Sequence, residues 1–260
     1  MEIIPIWKTV FLGALQGATE FLPVSSSAHL VIFQQWMNIS QDGAFLLALD
    51  VALHFGTLAA VVLFYRKDLK DILFTSRKLG LWLILGTLPA AVFGILLKDY
   101  FERSFASAAW AGFQLMITGV ILWATRWIKK EGAPLETMSL KQSLEVGVAQ
   151  AVAILPGISR SGTTIAAGLF IGLTPAAAVR FSFLLSIPAI GGACLLEAKE
   201  LAVLNYGVLF PILLGVVVSF VIGYFSIRWM VGLVQRHHLH YFAWYCWAFG
   251  LLAILKELFF

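Results

Sequence analysis

The sequence predicts an all-α integral membrane protein: six transmembrane helices plus two re-entrant helical hairpins, arranged as an inverted-topology repeat. Three observations lead there. Of 260 residues, 60% are hydrophobic and only 12% are charged, more apolar surface than one soluble core can hide. Two short polar stretches, Pro23 to His29 and Pro156 to Thr164, interrupt chain that otherwise reads as membrane. Finally, Gly13, Gln16, Ser25 and Ser27 recur as Gly147, Gln150, Ser159 and Ser161 at a constant offset of 134, with a proline just ahead of each serine group.

Taking the elements in order, the apolar stretch after Lys8 carries Gln16 and Glu20 and runs into the serines, which is not the form of a cleavable signal. Residues 6 to 37 are expected to dip into the membrane and return, with their tip at Pro23 to Ser27. A spanning helix needs about 20 mostly apolar residues. Such runs lie near 44 to 65, 79 to 97, 105 to 127, 178 to 196, 206 to 227 and 241 to 260. Between the third and fourth, the apolar pieces 142 to 155 and 162 to 172 are too short to cross and read as the second hairpin, its tip at Pro156 to Ser161. One polytopic domain therefore fills 1–260, with repeat halves at about 6–128 and 140–260.

Charge sets the orientation. The formal charge of +4 would hint at nucleic acid in a soluble domain, but here the basic residues flank helices, so nucleic acid is not an expected partner. Twelve of them (Arg66, Lys67, Lys70, Arg77, Lys78, Arg126, Lys129, Lys130, Lys141, Arg180, Arg228 and Arg236) fall on one side, and Lys8, Lys98, Arg103, Lys199 and Lys256 on the other. The positive-inside rule puts the larger set in the cytoplasm. The two tips then enter from opposite faces, as do the broken helices of many secondary transporters. His237, His238 and His240 fall in a cytoplasmic loop as a headgroup-facing surface, and Trp7, Trp82, Trp127, Trp229 and Trp244 near span ends as interfacial anchors. Cys194 and Cys246, far apart in apolar runs, read as small buried hydrophobes.

The polar tips carry the chemistry. Arg160 is costly inside a membrane and needs a partner: an ion pair with Glu20 or Asp50, or a phosphate whose oxygens its guanidinium fork matches. Ser159, Ser161, Thr163 and Thr164 add hydroxyls, and Gly157 and Gly162 admit close backbone approach. A helix restarting there would aim its positive end at the same spot. Gln16 and Glu20, four apart, share a helical face. They are either a packing pair or oxygen ligands for Mg2+ or Ca2+ bridging to phosphate. His29, beside Ser25, Ser26 and Ser27, could activate Ser26, activate water or attack phosphorus itself. Asp50 and His54, again four apart, would form a second layer or close the cavity.

At these residues the chain resembles the undecaprenyl-diphosphate phosphatase family linked with bacitracin resistance in bacteria. One signature reads Gln16-Gly-Ala-Thr-Glu20-Phe-Leu-Pro-Val-Ser25-Ser26-Ser27-Ala-His29, the other runs from Pro156 to Thr164, and the likeness continues through Asp50 to Gly56 and Phe181 to Pro188. The resemblance implies a metal-dependent membrane hydrolase of the bacterial inner membrane. It would convert undecaprenyl diphosphate to the monophosphate and inorganic phosphate, recycling the lipid used in peptidoglycan synthesis. Carried over, Glu20, Ser26 and His29 are catalytic, Glu20 and Gln16 hold metal, and Ser25, Ser27, Ser159, Arg160, Ser161 and Thr164 bind the diphosphate. Gln16 departs from the family's glutamate and cannot titrate, leaving Glu20 the only acid of the pair. Expected partners are a polyprenyl diphosphate lipid and the bilayer, with a homodimer compatible. The rival function is a lipid-phosphate flippase or transporter using the same cavity, which would need Arg160 and hydroxyls but no nucleophile and base.

Overall fold

A computed structural model describes residues 4–39, 43–97, 107–128, 131–203, 206–236 and 238–259. Lys98, Arg103, Lys129, Lys130 and His237, assigned to loops above, lie outside the described residues, as do positions 105–106 and 260 at the ends of two expected spans.

Helix α1 (Ile6–Phe21) ends where Pro23 forces the residue before it into an extended conformation, with Leu22 at φ −73° and ψ 149°. Helix α2 (Ser26–Trp36) starts after only four residues. Its first turn is capped by Ser25, whose Oγ accepts from the Ala28 amide. The second unit repeats this plan. Helix α7 (Leu140–Val152) opens on a Ser139/Gln142 capping box, the chain turns through Pro156 and Gly157, and α8 (Arg160–Phe170) starts behind its cap Ser159. All four helices are shorter than a bilayer crossing.

Six longer helices are long and apolar enough to cross a membrane: Gly43–Phe64, Arg77–Leu96, Ala108–Trp127, Pro175–Leu196, Gly207–Gln235 and Leu239–Phe259. They match the six expected runs. Their regular α-helical parts are α3 (Gly43–Phe64), α5 (Arg77–Leu96), α6 (Ala108–Ala124), α9 (Pro175–Leu196), α10 (Tyr206–Gln235) and α11 (Phe242–Phe259). A nine-residue amphipathic helix, α4 (Arg66–Phe74), lies between α3 and α5. No strand occurs among the described residues, and the protein is a multi-pass, all-α membrane protein.

The surface is inside out compared with a soluble domain. Leu88, Phe93, Leu96, Phe210, Leu213, Phe225 and Leu258 are exposed, while Gln16, Glu20, His29, Gln150 and Ser159 are buried. Apolar side chains outside cost nothing in lipid, and polar ones inside must find partners. Trp7, Trp127, Trp229 and Trp244 are exposed as anchors should be. Trp82 instead donates its indole N–H to the Met138 carbonyl at 3.0 Å, pinning α5 to the segment ahead of α7. Both cysteines are free and buried.

Tight helix crossings position the two short-helix units. α1 packs on α10 and α7 on α5, and each crossing is made glycine to glycine. A Cβ on Gly13 would strike the Gly215 carbonyl oxygen, and one on Gly147 would strike that of Gly86. Without a hydrophobic force between helices in lipid, close backbone approach at small residues is what holds such pairs. A third pair, α6 with α11, is closed by Gly112 and Gly250 against each other's carbonyls. Beneath these crossings Phe21, Leu115, Leu122, Ile165 and Phe183 form one buried cluster, so the tips of both units sit on a common packed floor.

Candidate active site

Glu20 is the hub. Sitting on the last turn of α1, its carboxylate accepts from Ser26 Oγ at 2.6 Å and from Gln16 Nε2 at 3.0 Å through Oε2, and from Arg160 Nη2 at 2.5 Å through Oε1. His54 Nε2 of α3 lies 3.6 Å from the same Oε2. Four helices, α1, α2, α3 and α8, thus deliver side chains to one buried carboxylate. The partner question left open for Arg160 is answered by Glu20, 140 residues away in sequence. Asp50 accepts from Gln34 Nε2 at 2.6 Å, while its backbone carbonyl accepts from His54 Nδ1 at 2.7 Å. That second bond orients the His54 ring toward Glu20.

Ser26 owes its placement to strain. Ser25 adopts φ 62°, one of two described non-glycine residues with positive φ. Such a conformation costs about 1–3 kcal/mol and persists only where surroundings enforce it. Here the Ser25 carbonyl accepts from His29 Nδ1 at 2.7 Å, and its Oγ lies 3.2 Å from that of Ser27. The structure therefore puts His54, rather than His29, beside Glu20. His29 faces the other way, its Nε2 2.7 Å from the Tyr245 hydroxyl and its ring stacked on Phe249 at 4.6 Å.

The second tip is built mostly from its own hydroxyls. Ser159 Oγ accepts from the Gly162 amide, Ser161 Oγ donates to the Leu22 carbonyl at 2.8 Å, and Thr164 Oγ1 donates to the Arg160 carbonyl at 2.8 Å. Ser159 Oγ and Ser161 Oγ are 3.3 Å apart, and Thr164 Oγ1 lies 2.6 Å from Ser182 Oγ. Thr118 of α6 clamps the turn by donating to the Gly157 carbonyl and accepting from the Ser159 amide. Gly157, at φ 129°, tolerates no side chain: a Cβ would lie 2.5 Å from the Ala111 oxygen. The bond from Ser161 to Leu22 ties one tip directly to the other.

Two atoms bordering Glu20 are buried without a hydrogen-bond partner, Arg160 Nη1 and Gln16 Oε1, and Thr163 Oγ1 is a third at the second tip. A buried donor or acceptor left unpaired is costly, and the first two belong to side chains that already bond Glu20, so a ligand reaching that carboxylate could complete the network. Arg160 Nη1 asks for an oxygen anion. Gln16 Oε1 asks for a donor or a cation. The helix starts of α2 and α8, at Ser26 and Arg160, add their positive ends.

Sequence reasoning missed three residues. Thr57, accepting from Gln16 at 3.3 Å, lies one helical turn from His54, a spacing that could have found it. Thr118 and Tyr245 carry no local signal, being ordinary polar residues in apolar runs 41 and 216 residues from their partners.

This geometry agrees with what the chain is similar to. Residues 9–252 match the family model described as bacitracin resistance protein BacA. The chain belongs to the BacA family. Among its relatives, an undecaprenyl-diphosphatase of Halothermothrix orenii is 40% identical over 255 residues, covering 96% of this chain and 97% of that protein. One from Desulforapulum autotrophicum is 38% identical over 272 residues, at 96% and 98% coverage. One from Methanobrevibacter smithii is 38% identical over 280 residues, at 99% of each.

Proposed function

We propose that this chain is a membrane phosphatase hydrolysing undecaprenyl diphosphate to undecaprenyl phosphate and inorganic phosphate in the bacterial inner membrane. One observation carries the mechanism: Ser26 Oγ donates to Glu20 Oε2 at 2.6 Å, an alcohol beside its base within reach for proton transfer. The terminal phosphate binds where Arg160 Nη1 and the helix starts of α2 and α8 face it. It draws the guanidinium from Glu20, and the freed carboxylate takes the Ser26 proton. Ser26 Oγ then bonds to phosphorus as the bridging P–O bond breaks, its electron pair leaving with the lipid monophosphate. Glu20 passes that proton to the departing lipid phosphate and then takes one from water, whose oxygen bonds to phosphorus as the P–O bond to Ser26 breaks and Ser26 Oγ recovers the proton. Developing negative charge on the phosphoryl oxygens is met by Arg160, the kind of preorganised donor worth about 10²–10³ in rate.

In this mechanism the base expected of His29 is Glu20, and His29 holds the turn that presents Ser26. Ser159, Ser161 and Thr164 act by shaping the second tip, while Thr163 retains a hydroxyl for the substrate.

We further assign the divalent cation of the metal-dependent reading to Glu20, Gln16 and Ser26. Among the described residues no three His, Cys, Asp or Glu side chains gather as a metal site. The donors these residues present are nonetheless oxygen, and the unpartnered Gln16 Oε1 would suit a hard cation. Bound there, Mg2+ or Ca2+ would neutralise phosphate charge. The two helix–turn–helix units are read as re-entrant hairpins of an inverted repeat. In support, Gly13 and Gly147, repeat counterparts, each seal the crossing of a short helix against a long one. A carrier would need Arg160 but not a serine held against a carboxylate.

The test is mass spectrometry of purified protein quenched during turnover of a polyprenyl diphosphate. A phosphoserine at Ser26, lost together with phosphate release in Ser26→Ala, is the expected result. Turnover persisting in Ser26→Ala would overturn the assignment.

A further inference from the structure

Tyr245 lies on α11, in the opposite half of the chain from the serine tip, and no local motif singles it out. Its hydroxyl is 2.7 Å from His29 Nε2. The two rings are within 5° of parallel, their centroids 5.7 Å apart, and Phe249 stacks against both. The other imidazole nitrogen, Nδ1, meets the Ser25 carbonyl at 2.7 Å. A carbonyl only accepts, so Nδ1 carries the hydrogen. In the neutral ring Nε2 then offers a lone pair, which the Tyr245 O–H fills as donor. The bonds run in one direction: Tyr245 to His29, His29 to Ser25, and Ser25, held at φ 62°, to the backbone that aims Ser26 at Glu20. A second contact from α11, Cys246 Sγ to the Pro23 carbonyl at 3.7 Å, braces the same turn.

We propose that Tyr245 is a positioning residue for the hydrolysis, anchoring the His29 ring so that its Nδ1–H locks the strained Ser25 turn and so orients the nucleophile. This rests on the reading of Ser26 as nucleophile, yet its structural half stands apart from it. With the hydroxyl removed, no donor meets the Nε2 lone pair and that end of the ring is no longer tethered. The ring can then tilt within its stack and draw Nδ1–H off the Ser25 carbonyl, which loosens the clamp on the turn. Tyr245→Phe keeps the ring packing and deletes only that hydroxyl.

The experiment combines kinetics with nitrogen NMR of 15N-histidine-labelled protein in lipid nanodiscs, the His29 signals being assigned by their loss in His29→Ala. Wild type is expected to show the Nδ1–H tautomer. Tyr245→Phe should keep that tautomer but move the Nε2 signal to that of an unbonded nitrogen, with kcat down roughly three- to tenfold, the scale of one neutral hydrogen bond, and KM within twofold. In a His29→Ala background the same substitution should change kcat no further. An unchanged Nε2 signal, a moved Nε2 signal with unchanged kcat, or a further loss in the His29→Ala background would each overturn the proposal. If the Ser26 adduct is not found but the Nε2 signal moves as expected, the nucleophile assignment fails while the lock on the turn stands.

Discussion

Substituting Arg160 by alanine removes two contributions at once, one to stability and one to turnover, and a second substitution at Glu20 tells them apart. Its side chain is 15% exposed and that of Glu20 5%, so the pair sits in a poorly hydrated place. Removing one member of a buried ion pair costs about 3–5 kcal/mol, because the other charge is left uncompensated. Glu20 would keep its bonds from Ser26 and Gln16, which puts the loss near the lower bound, about 3 kcal/mol. Activity should fall by about 10²-fold or more, since Arg160 is also the charged donor for the phosphoryl oxygens. The double variant Glu20→Gln/Arg160→Met removes both charges and should recover most of the stability, because replacing a buried pair by neutral groups is often close to neutral. It should recover no activity. Denaturant unfolding in micelles reads the first effect and phosphate release the second. An Arg160→Ala protein as stable as wild type, or a double variant no more stable than the single one, would refute the argument that the pair is a buried charge balance released by substrate.

Gly147→Val should abolish correctly folded protein, because its side chain would strike the Gly86 carbonyl and the backbones cannot move apart without opening the α5–α7 crossing; monodisperse yield by size exclusion is the measure, with Leu144→Val on the exposed face of α7 as an unaffected control. Gln16→Glu restores the family's second carboxylate. The concentration of Mg2+ or Ca2+ giving half-maximal phosphate release should then fall, and an unchanged metal titration would remove Gln16 from the proposed ligand set.

Much of this architecture was legible because membranes enforce simple rules. Six apolar runs became six helices with bounds close to those expected, since length and hydropathy decide a span more directly than packing decides a soluble helix. Breaks at Pro23 and Pro156 were equally readable, as proline dictates the backbone before it. The Gln16 and Glu20 face followed from helical spacing. What could not be read was which distant groups would pair. Arg160 had two candidate acids, and choosing Glu20 over Asp50 required knowing that α8 begins beside the end of α1. His29 next to three serines suggested an acid–base partner, yet residues four apart on one turn point away from each other's neighbours as easily as toward them, and its ring turned to α11. Ser159, Ser161 and Thr164 looked like a cradle for phosphate because hydroxyls bind anions. The same hydroxyls also satisfy backbone in a water-poor turn, and the structure spends them there.

The bond from Ser161 to the Leu22 carbonyl, together with Tyr245 on the last helix, has a consequence for biogenesis. As the chain emerges from the ribosome, α1 to α3 enter the bilayer with Glu20 lacking its arginine, and the serine turn has no clamp. Neither fault is mended until α8 arrives, and the second persists until α11 is in place. A nascent chain therefore carries an incomplete site, which gains its arginine only with α8 and the brace on its serine turn only with α11.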